Sequence, residues 1–273
     1  MCRWMAYTGN SIPLELLLFK AQNNLIDQSM SSKSAETPTN GDGFGVGWYG
    51  SRPVPGVFRS IRPAWNDFNL RDLAAQVDSH LFLAHVRATS LATVQETNCH
   101  PFRHGKWLFV HNGEIFDVEK VRRDLVMQVD PALFPEILGT TDSELMFYLT
   151  LTLGLEKDPI DAMQRMAGLI EKAGRKHGVK EALWMTLGVS DGEKLWAVRY
   201  ASDRDAPTLH YSADTNDLAA LNPDIPRVLG KQARAIVSEP VGKFAQIWKE
   251  VPQSTALYVH GGNVEVMPFK PKE

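Results

Sequence analysis

The amino-acid sequence predicts an α+β fold that forms a single domain over residues 1–273. Apolar strand patterns dominate the first part of the chain, helix patterns fill the middle, and strand patterns return in the last third. Strands and helices that are segregated along a chain in this way are typical of layered α+β folds. No internal repeat, coiled coil or low-complexity linker divides the chain, which favours one domain.

The first part of the chain alternates strand patterns with polar segments. Residues 2–8 predict a strand that ends in a turn at 9–10, and the apolar spacing of residues 14–26 predicts a helix. The polar composition of residues 27–40 predicts a surface loop. The glycine-rich segment 41–47 fits neither the dinucleotide fingerprint nor the Walker spacing, so we interpret it as a tight turn that feeds a strand. The remaining elements predicted here are strands at 57–61 and 80–87 and a helix at 67–77.

The middle of the chain predicts helices at 117–129, 142–155 and 161–176. Thr140 or Thr141 is a suitable N-cap for the second helix, since threonine hydroxyls accept hydrogen bonds from the first turn. Strands are predicted at 107–111, 183–190, 195–200, 208–211 and 235–238, with one or two more between 247 and 259.

The composition argues against several classes of protein. A formal net charge of −3 gives no reason to expect nucleic-acid binding. No apolar run approaches the roughly 18–20 residues of a membrane helix, and no signal peptide stands out. The two cysteines, Cys2 and Cys99, are too few for a disulfide framework and fit a reducing cytoplasm. A bridge between them stays open as an alternative, and it would block the thiol of Cys2.

The second residue, Cys2, carries the most specific chemical hypothesis. We expect Met1 to be removed, because the second residue is small, and Cys2 would then carry both a thiol and a free α-amine. The pKa of an α-amine is about 7.7–8 and that of a free thiol about 8.5, so the amine accepts the thiol proton near neutral pH. This is the arrangement of amine-activated nucleophiles. The alternative is a buried cysteine on the first strand.

Polar groups at three strand or helix ends match the needs of such a nucleophile. The Asn112 amide and the Gly113 N–H would stabilise the oxyanion that forms when a thiolate attacks an amide. Arg87 and Asp142 would bind the carboxylate and the ammonium of an amino-acid substrate. Each has a structural alternative: an ion pair for Arg87, a hairpin turn for Asn112-Gly113 and a helix-capping acid for Asp142.

Six segments carry a resemblance to a known family: Cys2 and residues 41–45, 85–89, 98–102, 111–113 and 141–144. Their sequences and order resemble the glutaminase domain of the class II glutamine amidotransferases, a branch of the N-terminal nucleophile hydrolases. The short stand-alone members of the family are the most similar. The resemblance implies a four-layer αββα sandwich of two stacked antiparallel sheets.

The resemblance also implies the roles of the site residues. Catalysis is assigned to Cys2, Asn112 and Gly113, and substrate binding to Arg87, Asp142, Thr89 and Ser90. Thr89 and Ser90 correspond to a loop that closes over bound glutamine. This chain reads Arg-Ala-Thr-Ser there, where the large synthases read Arg-Trp-Ala-Thr, so the closing residue is left open.

The function implied is hydrolysis of the glutamine side-chain amide through a Cys2 thioester, with the ammonia released or passed to a separate acceptor protein. One alternative is a γ-glutamyl hydrolase that acts on a larger conjugate, and another is an inactive sensor or scaffold. No metal or other cofactor is expected, because Pro101 breaks the helix that a His100–His104 ligand pair would need.

Overall fold

Two antiparallel β-sheets lie at the centre of the structure. The computed structural model describes residues 2–31, 39–89, 92–203, 205–213, 228–242 and 245–273. Its strands are β1 (Arg3–Pro13), β2 (Phe44–Trp48), β3 (Gly56–Ser60), β4 (Asp78–Val86), β5 (Phe102–His104), β6 (Trp107–Ile115), β7 (Leu183–Ser190), β8 (Leu195–Ala201), β9 (His210–Ser212), β10 (Arg234–Val237), β11 (Trp248–Glu250), β12 (Thr255–His260) and β13 (Asn263–Pro268). Its α-helices are α1 (Leu25–Met30), α2 (Phe68–Gln76), α3 (Val118–Val126), α4 (Asp142–Thr152) and α5 (Pro159–Lys176).

The two sheets are stacked and covered by helices on their outer faces. Within the described ranges, the first sheet has the strand order β11-β9-β10-β1-β4-β2-β3 and the second has the order β13-β12-β8-β7-β6-β5. Apolar side chains of α1 and α2 pack on the first sheet, and those of α3, α4 and α5 pack on the second. A third apolar cluster fills the space between the sheets. The layer order is helix, sheet, sheet, helix, which confirms the predicted α+β four-layer sandwich.

Strand β1 contributes side chains to two of these layers. Trp4 and Ala6 point between the sheets, whereas Met5 and Tyr7 point towards the helices of the first sheet. All four are at most 1% exposed. Since side chains alternate across a strand, the segment from Trp4 to Tyr7 is continuously apolar because both faces of this part of β1 are buried.

The turn predicted at residues 9–10 is wrong, because β1 continues to Pro13. The pairing of β1 with β4 changes register between Thr8 and Ile12, where the strand is irregular. A Cβ on Gly9 would lie 2.9 Å from the Cα of Ala233. The glycine at position 9 therefore allows the close approach of another backbone rather than a change of chain direction.

The single helix predicted over residues 14–26 is also wrong. A short π-helical segment, Leu16–Lys20, is followed by a separate helix, α1. The Asn24 side chain accepts a hydrogen bond from the Asp27 N–H at 2.9 Å, and Asp27 accepts one from the Asn24 N–H at 3.3 Å. This capping box starts a new helix within the apolar pattern. Helix α1 extends into the loop predicted at 27–40, and residues 32–38 of that loop lie outside the described residues.

The helices predicted in the middle of the chain are confirmed as α3, α4 and α5. Thr141 is the N-cap of α4, and its hydroxyl accepts a hydrogen bond from the Glu144 N–H at 3.1 Å. The sequence patterns missed the short strand β5 and the terminal strand β13. In the part of the chain that the structure describes, no helix combines the length and the apolar character needed to span a membrane.

Candidate active site

A cleft of about 210 Å³ opens where the ends of β1, β4 and β6 meet the start of α4. Five of the predicted site residues line it: Cys2, Arg87, Thr89, Gly113 and Asp142. Asn112 is buried beside Gly113, at 3% exposure, and does not form part of the wall that the described residues make. Ser90 lies outside the described residues.

Cys2 directly precedes β1 and is half-buried at the cleft. Its thiol donates to the Ala88 carbonyl oxygen, with an Sγ–O distance of 3.4 Å. Burial raises the pKa of the Cys2 thiol, and the bond to Ala88 and the charge of Arg87 act in the opposite direction. Because the thiolate is the nucleophilic form, this sulfur needs a base to react near neutral pH.

The backbone of Cys2 is anchored from the adjacent residue. The Arg3 guanidinium donates to the Cys2 carbonyl oxygen at 2.9 Å and to the Glu239 carboxylate at 2.6 Å. The Arg3 side chain is 3% exposed and that of Glu239 is 16% exposed. This shielded pair fixes the peptide unit that follows the nucleophile, since charge-assisted hydrogen bonds are among the stronger ones.

A buried polar contact connects β1 to β6 by way of β7. Trp4 Nε1 donates to the Thr186 hydroxyl at 3.1 Å, and that hydroxyl donates to the Asn112 carbonyl oxygen at 3.4 Å. Thr186 and Asn112 are direct partners in the β6–β7 register. The strand that follows the nucleophile is therefore held at a fixed position relative to Asn112, across the gap between the sheets.

Gly113 lies inside β6 and pairs with Met185 of β7, so the hairpin-turn alternative for Asn112-Gly113 is wrong. Its φ is +156°, and a Cβ there would lie 2.7 Å from the Met185 Cα and closer still to the Trp184 carbonyl oxygen. A side chain at position 113 would force β6 away from β7. Glycine is required here, and it leaves backbone rather than side chain at the cleft wall.

Arg87 follows β4 and is 3% exposed. Its guanidinium donates to the Asp42 carbonyl oxygen at 3.3 Å and to the Thr93 carbonyl oxygen at 3.4 Å. A guanidinium has five N–H donors, so donors remain for a ligand carboxylate. Its contacts within the described ranges are to carbonyl oxygens, and the ion-pair alternative for Arg87 finds no support there.

The glycine-rich segment holds the chain that follows Arg87. The Asp42 N–H donates to the Arg87 carbonyl oxygen at 3.0 Å, and the Asp42 carboxylate accepts from the Thr89 N–H at 2.9 Å. The Thr89 hydroxyl donates to the Ala92 carbonyl and accepts from the Ala92 N–H, both at 3.0 Å. Thr89 thus lines the cleft while its hydroxyl is engaged within its own loop.

Asp142 is the first residue of α4, and its carboxylate faces the cleft. One oxygen accepts from the Ile115 N–H at 2.8 Å, and the other accepts from the Ser143 N–H at 2.7 Å and the Ser143 hydroxyl at 3.3 Å. An ionised carboxylate has about four acceptor positions, so capacity remains for a ligand ammonium. The bond to Ile115 joins the helix start to the end of β6.

Three histidines, His85, His100 and His111, are buried, and His100 and His111 line the cleft. The rings of His85 and His100 stack with centroids 4.1 Å apart, and His111 Nδ1 lies 2.8 Å from the Ser143 hydroxyl. Burial lowers the pKa of His85 to about 3, that of His111 to about 4, and that of His100 well below its ordinary value. All three are therefore neutral at pH 7 in the folded chain.

The histidines do not form a metal centre among the described residues, where no group of three or more His, Cys, Asp or Glu is arranged to hold an ion. His104, the second member of the pair considered from the sequence, contacts the Glu136 carboxylate at 2.8 Å instead. Sequence reasoning missed two residues that organise the site, Asp42 and Asn98. Asp42 lies in segment 41–45 and Asn98 in segment 98–102, and both segments carry the family resemblance. Membership of these segments was the signal in the sequence that could have identified the two residues.

Comparison with known proteins identifies the class. The family model of the class II glutamine amidotransferases matches residues 20–272. The chain therefore belongs to this family, whose members are enzymes of the glutamine amidotransferase class. Cys2 precedes the matched residues.

Several relatives and solved structures agree with this assignment. In an alignment 302 positions long, which covers 98% of this chain and 84% of the relative, the chain is 29% identical to the probable glutamine amidotransferase DUG3 of Saccharomyces cerevisiae. A glutamine aminotransferase class-II domain protein from Silicibacter pomeroyi is 32% identical, with a TM-score of 0.74 and coverage of 99% of this chain and 100% of that one.

Two further comparisons are partial. The γ-glutamyl-hercynylcysteine sulfoxide hydrolase of Mycobacterium tuberculosis is 31% identical over 117 residues, which span 42% of this chain and 50% of that protein. The phosphoribosylpyrophosphate amidotransferase of Bacillus subtilis is 12% identical with a TM-score of 0.67, and the match covers 99% of this chain and half of that one. The latter likeness concerns the fold alone, which is that of the N-terminal nucleophile hydrolases.

Proposed function

We propose that the chain hydrolyses the side-chain amide of glutamine to glutamate and ammonia through a γ-glutamyl thioester on Cys2. The observation that supports this is the meeting of four groups in one cleft: the Cys2 thiol, the Arg87 guanidinium, the Gly113 backbone and the Asp142 carboxylate. These are a nucleophile, a cation, a strand backbone and an anion, which together match an amide that carries an α-amino acid end.

In the proposed first step, removal of Met1 frees the α-amine of Cys2, which takes the thiol proton. The thiolate attacks the amide carbonyl carbon, and the oxygen becomes an oxyanion that the Asn112 amide and the Gly113 N–H stabilise. The α-ammonium then gives its proton to the amide nitrogen. The carbon–nitrogen bond breaks, ammonia leaves, and the γ-glutamyl thioester remains on sulfur.

In the second step, water attacks the thioester while the same amine accepts the water proton. The carbon–sulfur bond breaks, the proton returns to sulfur, and glutamate leaves. Arg87 and Asp142 hold the α-carboxylate and the α-ammonium throughout, which keeps the carbonyl in reach of the sulfur. We assign Thr89 to the loop beside the bound substrate, and Ser90, which has the same assignment, lies outside the described residues.

The test combines intact mass with an activity assay on one protein preparation. We expect the mass to show loss of Met1 and the protein to release glutamate from L-glutamine. Cys2→Ala should abolish this release while the thermal unfolding temperature changes little, since one half-buried sulfur is lost. Retained turnover in that variant would remove Cys2 from the mechanism.

A second candidate is hydrolysis of a larger γ-glutamyl conjugate. It is favoured by the partial similarity to the Mycobacterium tuberculosis hydrolase, whose name gives a γ-glutamyl substrate. Both candidates use the same nucleophile, Cys2, and the same substrate-binding pair, Arg87 and Asp142, and they differ in the leaving group. A panel of L-glutamine and γ-glutamyl peptides compared by kcat/KM separates them, because poor turnover of glutamine with rapid turnover of a conjugate would reverse the donor assignment.

The fate of the ammonia and the activity of the isolated chain define two further tests. A separate acceptor protein would raise the rate of glutamine hydrolysis when it is added, and the lack of any stimulating partner would favour a simple hydrolase. The inactive sensor or scaffold would be favoured if Met1 stays attached in the purified protein. Intact mass decides this directly, since an acylated nitrogen cannot act as the base.

A further inference from the structure

Asn98 is fully buried, at 0% exposure, and its side chain lies between two segments of the cleft. Its Nδ2 donates to the Thr93 carbonyl oxygen at 2.8 Å and to the Thr140 hydroxyl at 3.0 Å. Its Oδ1 accepts from the Thr140 N–H at 2.8 Å and from the Gln95 side chain at 3.2 Å. A carboxamide has two donors and about two acceptor positions, so this one is saturated.

The two segments that Asn98 joins lie next to the two residues proposed to bind the substrate, Arg87 on one side and Asp142 on the other. On one side, the Thr93 carbonyl also accepts from the Arg87 guanidinium. On the other side, Thr140 lines the cleft and precedes the Thr141 cap and Asp142. Neither segment belongs to a β-strand, so no ladder of backbone hydrogen bonds fixes the distance between them.

The packing around Asn98 leaves little freedom for this connection to change. A Cβ on Gly139 would lie 2.5 Å from the Asn98 Oδ1 and 2.8 Å from the Thr97 carbonyl oxygen. The Glu144 carboxylate accepts from the Leu138 N–H at 3.1 Å and from the Gly139 N–H at 2.6 Å, which holds the other side of the same turn. The turn before α4 is therefore pressed against Asn98.

We infer that Asn98 is a positioning residue that sets the separation between the groups that bind the substrate carboxylate and the substrate ammonium. The inference rests on the proposed amide hydrolysis, in which Arg87 and Asp142 hold those two groups. Asn98 touches neither the substrate nor Cys2, and it acts through the Thr93 carbonyl and the Thr140 backbone. Its loss therefore weakens binding more than it slows the chemical step.

The test is a split between KM and kcat for L-glutamine in Met1-processed protein. We expect Asn98→Ala to raise KM about 10-fold while kcat stays within about 2-fold, because a buried carboxamide with four partners is removed from the binding end alone. Asn98→Asp should do at least as much, since an ionised carboxylate offers no donor to the Thr93 carbonyl. Thr140→Val should have a smaller effect of the same kind, and Thr140→Ser should restore most of the affinity.

Gln95→Ala is the matched control. It removes a bond to the same Asn98 oxygen but leaves the connection from Thr93 to Thr140 intact. KM should stay close to the wild-type value in this variant even if its unfolding temperature falls. An equal rise of KM in Gln95→Ala would assign the effect to general loosening of the loop and overturn the inference.

A binding measurement without turnover gives a second readout. In a Cys2→Ala background, L-glutamate should raise the unfolding temperature, and adding Asn98→Ala should reduce that shift. Unchanged KM and an unchanged glutamate shift in the Asn98 variants, with Cys2-dependent hydrolysis present, would overturn this inference alone. Absence of Cys2-dependent hydrolysis in the wild-type protein would overturn the proposed function, and the inference with it.

Discussion

The two ends of the cleft are held in place by different kinds of contact. At the proposed reaction end, Gly113 lies within a paired strand and Cys2 is directly followed by one, so the backbone ladders of β1, β6 and β7 fix them. At the proposed binding end, the backbone of Arg87 also pairs with Asp42 and Gly43 just beyond β4, but the Thr93 segment that its guanidinium contacts and the turn before Asp142 lie outside the strands. Side-chain hydrogen bonds from Asp42 and Asn98 hold the segments next to them.

This difference has a physical consequence. A strand in the middle of a sheet is fixed by many small contacts, so single substitutions displace it little unless they force the strands apart. A segment held by a few side chains depends on each of them, because one unpaired buried group costs about 1–3 kcal/mol. Variants at the two ends should therefore differ in which kinetic constant they change.

The largest effect is expected at the reaction end, for Asn112→Ala. Loss of an oxyanion donor should lower kcat by about 10²–10³ with little change in KM, because the donor acts where charge develops. Steady-state kinetics with L-glutamine measure both constants. A normal kcat would exclude Asn112 from oxyanion stabilisation, and an equal change in KM would remove the contrast between the two ends.

A smaller effect is expected at the binding end, for Arg87→Lys. An ammonium cannot reproduce the two-pronged contact of a guanidinium with a carboxylate, so KM should rise about 10-fold or more while kcat changes less. The readout is KM for L-glutamine compared with that for an analogue that lacks the α-carboxylate. If both substrates lose affinity equally, the carboxylate is bound elsewhere.

A third prediction concerns acid stability rather than a kinetic constant. His85, with its pKa lowered to about 3 by burial, and His111, with its pKa lowered to about 4 by burial, stay neutral in the fold. In the unfolded chain they protonate near pH 6.5. The unfolded state thus binds more protons as the pH falls, and stability is present above about pH 6.5 and is lost towards pH 4. Within that window, each histidine lowers the free energy of unfolding by about 1.4 kcal/mol for every pH unit of acidification.

Urea unfolding at several pH values measures this slope. His100→Phe should make the slope shallower, because it removes a third buried histidine whose pKa burial lowers and keeps an aromatic ring on His85. Phe102→Leu, which removes an aromatic ring whose centroid lies 4.5 Å from that of His100, should lower stability equally at all pH values. An unchanged slope in His100→Phe would mean that this ring titrates alike in both states.

The helices α3 to α5 could be predicted because their signals are local. Apolar spacing, Thr141 and the acids in the first turn of α4 all act within a few residues. The break between residues 20 and 25 could not be predicted from apolar spacing, because a capping box at Asn24 outweighs that pattern. The turn predicted at Gly9 is wrong for another reason. The glycine is needed because the backbone of Ala233, which is distant in sequence, packs closely against it.

By itself, the sequence determined the fold class, the family resemblance and the identities of the groups that we assign to the reaction. Those properties depend on residue type and order along the chain. Only the tertiary structure decided that five of the seven predicted site residues line one cleft, that Gly113 is a strand residue, and that Asn98 and Asp42 hold the segments around it. The reason is that these contacts join segments far apart in the chain, whose distances are set by sheet register and layer packing.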